Sequence, residues 1–139
     1  MRTIIILLAF SILLPAAAFA AAPKTDPFRE TDAFADTDGE ALYRSSCQSC
    51  HMAEGQGAKT GAGMYPALAK NPNLQSPEYT ATVLLNGLRG MPPFIRMMTD
   101  EQMAAVTNYV ITHFGNKSPK LITPDEVKAM RPEPQTGEE

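Results

Sequence analysis

Cysteine, histidine and aromatic residues are scarce in this chain. Its 139 residues include two Cys, two His and no Trp, and only 7% are Phe or Tyr. A structural zinc site usually takes four Cys or His ligands in paired clusters, which argues against zinc here. Lys and Arg number 12 against 15 Asp and Glu, with no basic patch to suggest nucleic-acid binding. The few aromatic residues predict a modest apolar core.

The two cysteines and one histidine stand together in Cys47-Gln48-Ser49-Cys50-His51. Cys-x-x-Cys-His is the pattern of covalent haem attachment. Its two thiols add to the two vinyl groups of one porphyrin edge, and the adjacent His can coordinate the iron. A thioredoxin-like redox pair would need a βαβ context, of which the chain shows no sign. The single motif predicts one haem c, bound through Cys47 and Cys50 and ligated by His51.

The N-terminus has the pattern of a cleavable signal peptide. A positive start at Arg2 precedes an apolar run over residues 4–14, and small residues lead up to Ala20. We predict cleavage after Ala20, with Ala22 as the alternative. The apolar run is too short to cross about 30 Å of hydrocarbon comfortably, and no second hydrophobic segment follows. The mature protein is expected to be exported to the periplasm, without a membrane span.

Removing 20 of the 139 residues leaves 119, with 11 Lys and Arg against 15 Asp and Glu, a formal charge of −4. This length suits one small domain. Composition divides the mature chain into a flexible lead-in over residues 21–37, a compact domain over 38–115 and a tail over 116–139. The tail is rich in Pro and charge and carries one short helical signal. We expect it to be a solvated extension.

Helix signals dominate the compact domain, so the predicted fold class is all-α. Residues 54–63 contain four Gly and predict a loop, and no strand pattern is evident. Helix ends are expected near Gly87 and at Gly115. The expected N-caps are Thr37 or Asp38, Ser76, Thr99 and Thr123.

Three motifs resemble class I c-type cytochromes over residues 38–115. Besides the cysteine motif, these are the packing set Gly39, Tyr43 and Tyr109, the loop Tyr65-Pro66-Ala67-Leu68, and the loop Gly90-Met91-Pro92-Pro93-Phe94. The resemblance implies a small fold of helices wrapped around one haem, with the first helix packed against the last. It also implies that the Pro66 carbonyl accepts a hydrogen bond from His51, and that Met91 is the second axial ligand of the iron.

The assignment of Met91 has rivals. A Met is often a core filler, whereas two prolines follow Met91 and stiffen its loop. His113 lies near a helix end, where a His usually faces solvent. The other candidates are Met52, Met64, Met97, Met98 and Met103.

With both axial positions filled, we expect an electron carrier and not an enzyme. Residues 78–116, and more weakly the 127–131 segment, are similar to cytochrome subunits of periplasmic dehydrogenases. The resemblance implies a quinoprotein or flavoprotein dehydrogenase as electron donor, and an oxidase or another cytochrome as acceptor. Two alternatives remain open. One is an obligate subunit of a dehydrogenase complex. The other is a haem enzyme or gas sensor in which Met91 is displaced.

Overall fold

The computed structural model describes residues 34–60 and 63–132. The predicted signal peptide, the lead-in up to residue 33 and the last seven residues of the tail lie outside the described residues. Within the described residues, no helix combines the length and the apolar character needed to cross a bilayer.

The cysteine motif lies at the end of one continuous helical segment. Asp38 begins it, because its Oδ1 accepts hydrogen bonds from the backbone N–H groups of two residues in the first turn, each at 3.0 Å. The segment runs through α1 (Gly39–Leu42), a π-helical turn (Tyr43–Cys47) and α2 (Gln48–His51). The predicted cap and helix are therefore confirmed. The π-helical turn is a feature that no local sequence pattern indicated, and such turns are frequent at functional sites.

A short antiparallel hairpin replaces part of the predicted loop. β1 (Ala58–Thr60) pairs with β2 (Gly63–Tyr65), and Ala58 lies opposite Tyr65. The sequence shows no convincing strand pattern, so this small sheet was not predicted. Strands of three residues are too short to show an alternating pattern. The fold remains helix-rich, as predicted.

The other helices begin at the predicted caps, because Ser76, Thr99 and Thr123 each accept a hydrogen bond from a backbone N–H in the first turn. The helix capped by Thr99 ends at its C-cap His113, two residues before the predicted end at Gly115. These helices are α3 (Pro77–Asn86), α4 (Asp100–Thr112) and α5 (Pro124–Ala129), and a 3₁₀ helix (Pro72–Gln75) precedes them.

Helix α4 is the centre of the fold and packs against α1, α3 and α5. At its crossing with α1, Gly39 lies directly against the backbone carbonyl of Ala105, and a Cβ at Gly39 would be 2.9 Å from the Cβ of Tyr109. Any larger residue at position 39 would push the two helices apart. Among the described residues, the largest fully buried side chains are Leu42, Tyr43, Leu85, Met98, Met103, Val106, Thr107, Ile111 and Val127.

The segments on either side of the predicted domain are held against it. Gln102 donates hydrogen bonds from Nε2 to the carbonyls of Phe34 and Asp36, at 2.7 and 2.8 Å. In the tail, Ile122 and Val127 are buried in the core, with exposed fractions of 2% and 0%. The expectation of a solvated extension was therefore wrong for this part of the tail, because Ile122 and Val127 turn inward although Leu121 stays exposed.

Candidate functional site

The two thiols of the motif differ in their surroundings. Cys47 closes the π-helical turn and is buried in the core, while Cys50 on α2 is half-buried. Neither forms a disulfide. Burial raises the pKa of the Cys47 thiol, and the hydroxyl of Ser46, 3.4 Å from its sulfur, acts in the opposite direction. Both thiols are thus free for chemistry, three residues apart on one helical segment.

His51 ends α2 and is buried, with 8% of its surface exposed. Its Nδ1 lies 3.0 Å from the carbonyl oxygen of Pro66, the contact that the resemblance predicts. A carbonyl can only accept, so Nδ1 carries the proton and donates it. The lone pair of Nε2 is then available to a metal, and the hydrogen bond fixes the ring orientation.

The backbone of Gly57 passes close to Pro66, next to the histidine. The N–H of Gly57 donates to the His51 carbonyl at 3.0 Å. Gly57 has a φ of +67°, and a Cβ there would lie 2.7 Å from the carbonyl carbon of Pro66. Glycine is therefore needed both for the backbone conformation and for the close approach.

Asn116 ties the same loop to the end of α4. Its Nδ2 donates to the carbonyls of Leu68 and Val110, both at 2.9 Å, and its Oδ1 accepts from the N–H of Asn71 at 3.0 Å. The residue is buried. Sequence reasoning did not find this role. The only signal was the position of Asn116 at the end of a run that resembles cytochrome subunits.

Met91 lies in a separate turn that packs against the same core as Cys47. Leu88 and Met91 exchange two backbone hydrogen bonds of 3.0 Å, and the N–H of Phe94 donates to the Leu84 carbonyl at 2.7 Å. Pro92 and Pro93 between these anchors are exposed. The Met91 side chain is half-buried, in a loop fixed at both ends.

The rival methionines have other surroundings. Met98 and Met103 are fully buried in the core, and Met64 is 77% exposed at the hairpin. The carbonyl of Met52 accepts a 2.6 Å hydrogen bond from the Tyr43 hydroxyl. Met97 is partly buried against the core.

His113 is exposed, as the sequence predicted. Its ring stacks on Tyr109 with 4.0 Å between ring centroids, and its Nδ1 lies 2.8 Å from the Tyr109 carbonyl. His113 also borders a cleft of about 550 Å³, which it shares with Arg44 and Glu54.

The structure thus brings together Cys47, Cys50, His51 and Pro66. Two free thiols beside a buried imidazole with an available Nε2 fit a covalently bound haem, whose iron accepts imidazole and thioether ligands. In the part of the chain that the structure describes, no group of three or more His, Cys, Asp or Glu is arranged to hold a metal ion. The donor set therefore suits a porphyrin iron better than a metal ion held by side chains alone.

Comparisons with known proteins agree with this chemistry. A family described as "Cytochrome C oxidase, cbb3-type, subunit III" matches residues 34–110. The fructose dehydrogenase cytochrome subunit of Gluconobacter japonicus is 36% identical over 110 residues, which cover 68% of this chain and 22% of that subunit. The cytochrome c subunit of the quinone alcohol dehydrogenase of Gluconacetobacter polyoxogenes is 29% identical, over 70% of this chain and 23% of that subunit.

A third relative is cytochrome c-552 of Thermus thermophilus, which is 33% identical over 71% of this chain and 78% of its own length. The chain thus spans less than a quarter of the two dehydrogenase subunits, but most of this cytochrome.

Proposed function

The chain belongs to the class I c-type cytochromes, and from this premise we propose that it is a mono-haem electron carrier. In this proposal Cys47 and Cys50 would hold the haem as thioethers, and His51 and Met91 would ligate its iron. The bound haem supplies a centre that gains and loses one electron. The chain's own residues hold that centre, exclude water and set which oxidation state is favoured.

The hydrogen bond from His51 to the Pro66 carbonyl is the observation that carries the proposal. It leaves Nε2 as the ligating atom, holds the ring in one orientation and makes the imidazole a stronger donor. Asn116 bonds to the Leu68 carbonyl in the same loop, and Gly57 permits the close approach of the chain to Pro66. A buried histidine held in this way has the properties expected of a permanent ligand.

The anchored turn around Met91 supports its role as the second ligand. A thioether is a weak ligand, so a loop that is already ordered reduces the entropy lost when it binds. A thioether ligand raises the reduction potential. If His51 and Met91 both ligated the iron, neither would leave room for a substrate, which favours electron transfer over catalysis.

The names of the relatives support a dehydrogenase as electron donor. Two of them are cytochrome subunits of fructose and alcohol dehydrogenases. We propose a periplasmic quinoprotein or flavoprotein dehydrogenase as the donor, and an oxidase or another cytochrome as the acceptor. An obligate subunit is the second candidate, favoured by the word "subunit" in those names. Copurification with a dehydrogenase in a salt-resistant complex would identify it.

Replacement of Met91 tests the ligand assignment. Met91→Ala should keep the haem attached through Cys47 and Cys50 but leave the iron five-coordinate or water-ligated. The ferric protein should lose the charge-transfer band of a thioether–iron bond, the midpoint potential should fall, and cyanide and CO should bind readily. Optical spectra, a redox titration and ligand binding measure these changes.

Matched variants locate the effect. Met97→Ala, Met98→Ala and His113→Ala should each keep the band and the midpoint potential near those of the unaltered protein, and a double Cys47→Ala, Cys50→Ala variant should not retain covalent haem. An unchanged spectrum in Met91→Ala, with the changes appearing in His113→Ala, would overturn the assignment.

A further inference from the structure

Arg131 reaches from the tail back to the segment that follows the Met91 loop. Its Nη1 donates to the Ile95 carbonyl at 2.7 Å and its Nη2 to the Met98 carbonyl at 3.0 Å. Its Nε donates to Oδ1 of Asp100 at 2.5 Å. About a quarter of the Arg131 side chain is exposed, and slightly less of Asp100. All three nitrogens of the guanidinium are thus used on one short stretch of chain.

The acceptors lie where the Met91 loop joins α4. The carbonyl of Phe94 accepts from the N–H groups of Met97 and Met98, at 2.8 and 3.0 Å, and so forms a turn. Both carbonyls to which Arg131 donates belong to this turn, and Asp100 is the first residue of α4. The three hydrogen bonds of Arg131 therefore fix the turn to the start of α4.

Between the Leu88–Met91 pair and Phe94, the loop has no backbone N–H group with which to make a hydrogen bond. Pro92 and Pro93 have no N–H group, and the hydrogen bond from Phe94 to Leu84 is the first anchor after Met91. Movement of the turn at residues 94–98 would pull on that anchor and shift the Met91 thioether. Whatever restrains the turn also restrains the proposed ligand.

We propose that Arg131 is a positioning residue for Met91, which it holds toward the iron by locking the turn at residues 94–98. This inference rests on the proposed function, in which Met91 is an axial ligand. Arg131 lies outside residues 34–110, which the family comparison matches. An arginine suits this position because its planar fork can donate to several fixed acceptors at once, which a lysine cannot.

Exchange of the ligand in the ferric holoprotein tests the inference. Arg131→Gln loses charge-assisted hydrogen bonds, which should make opening of the turn about tenfold more favourable. Added imidazole should therefore replace Met91 about tenfold faster in this variant. Loss of the thioether–iron charge-transfer band follows the reaction without denaturant. Arg131→Lys should also speed the replacement of Met91 by imidazole.

Arg96→Gln is the matched control. Arg96 lies in the same turn and is exposed, and within residues 34–60 and 63–132 it makes no hydrogen bond or ion pair. In Arg96→Gln, imidazole should replace Met91 at the rate seen in the unaltered protein. Should Arg131→Gln fold poorly, Asp100→Asn weakens one of the three contacts and should speed exchange about threefold.

The outcomes separate two kinds of failure. If Met91→Ala loses the band while Arg131→Gln exchanges imidazole no faster than Arg96→Gln, Arg131 only attaches the tail and the inference is overturned. A loss of unfolding free energy in Arg131→Gln without faster exchange would overturn it as well. If Met91→Ala keeps the band, the ligand assignment itself fails, and the inference fails with it.

Discussion

The carboxylate of Glu126 accepts hydrogen bonds from two parts of the chain. Thr123 donates to its Oε2 from the backbone N–H at 2.8 Å and from the hydroxyl at 3.0 Å, in a capping box. Lys120 Nζ lies 2.9 Å from Oε1, and also 2.9 Å from Glu78 on α3. The contact with Lys120, followed by those with Thr123, lowers the pKa of Glu126 to about 2.

This pKa can be measured directly. Because the folded pKa lies below the unfolded value of about 4.3, the contribution of Glu126 to stability is present above that value and is lost as the pH falls toward 2. An NMR titration of the side-chain carboxyl carbon should give a pKa near 2. Lys120→Gln should raise it toward the ordinary value. An ordinary pKa in both proteins would contradict the contact.

Residue patterns that act over a few positions were predictable from sequence, and those that act over long separations were not. The cysteine motif and the four N-caps each lie within a few residues. Asn116 and Arg131 bond to partners 48 and 36 residues away, at Leu68 and Ile95. No local pattern distinguishes such an Asn or Arg from one on the surface, because the role depends on where the fold places its acceptors.

The crossing of α1 and α4 was predictable at the level of elements. Gly39 permits the close approach, and Tyr43 packs against Tyr109 and Phe114 with ring centroids 5.6 and 4.9 Å apart. Tyr43 is almost wholly buried, and burial raises the pKa of its hydroxyl to about 12. The hydroxyl therefore stays protonated and donates to the Met52 carbonyl, directly after the histidine.

Substitutions at this crossing should lower the free energy of unfolding by different amounts, in a fixed order. Tyr43→Ala should lower the free energy of unfolding by about 3–5 kcal/mol, because it leaves a large cavity, and Tyr43→Phe by about 0.5–1.5 kcal/mol through the lost hydrogen bond. Tyr109→Ala should fall between them, since Tyr109 is only partly buried. Urea unfolding measures all three.

The control for this series is Tyr79→Ala on α3. Tyr79 is 41% exposed, so its replacement should change the free energy of unfolding by no more than about 0.5 kcal/mol. A Tyr43→Ala loss as small as that of Tyr79→Ala would mean that the two helices do not depend on the aromatic contact.

Two elements escaped prediction for a physical reason. The hairpin at residues 58–65 has only three pairs, and its neighbouring glycines indicate a loop as readily as a turn. The π-helical turn at Tyr43–Cys47 follows the same residue preferences as the α-helix on either side. The π-helical turn packs against α4, a contact that only the complete fold supplies.

At the scale of the whole molecule, the segment after α4 folds with the rest. Asn108 on α4 accepts a hydrogen bond from the Ile122 N–H and donates one to the Ile122 carbonyl, both at 2.9 Å. Beyond it, Val127 is fully buried and Arg131 reaches the turn after the Met91 loop. The described part of the tail is therefore a packed layer over α4.

Val127→Ala tests this packing. It should lower the free energy of unfolding by about 1–3 kcal/mol in a single transition, because a buried branched side chain is truncated. Leu121→Ala, whose side chain is 55% exposed, is the matched control and should change it by no more than about 0.5 kcal/mol. Equal small effects would mean that the segment is only loosely attached.

The bond from Asn116 to the Pro66 loop also bears on the order of events during synthesis. The cysteines and His51 leave the ribosome well before residue 116, so the thiols exist before the contacts that fix the histidine's acceptor can form. Contacts between residues 48 positions apart form late, because a long loop must close first. In the proposed function, attachment of the haem to the thiols can therefore precede the ordering of the loop that contacts His51.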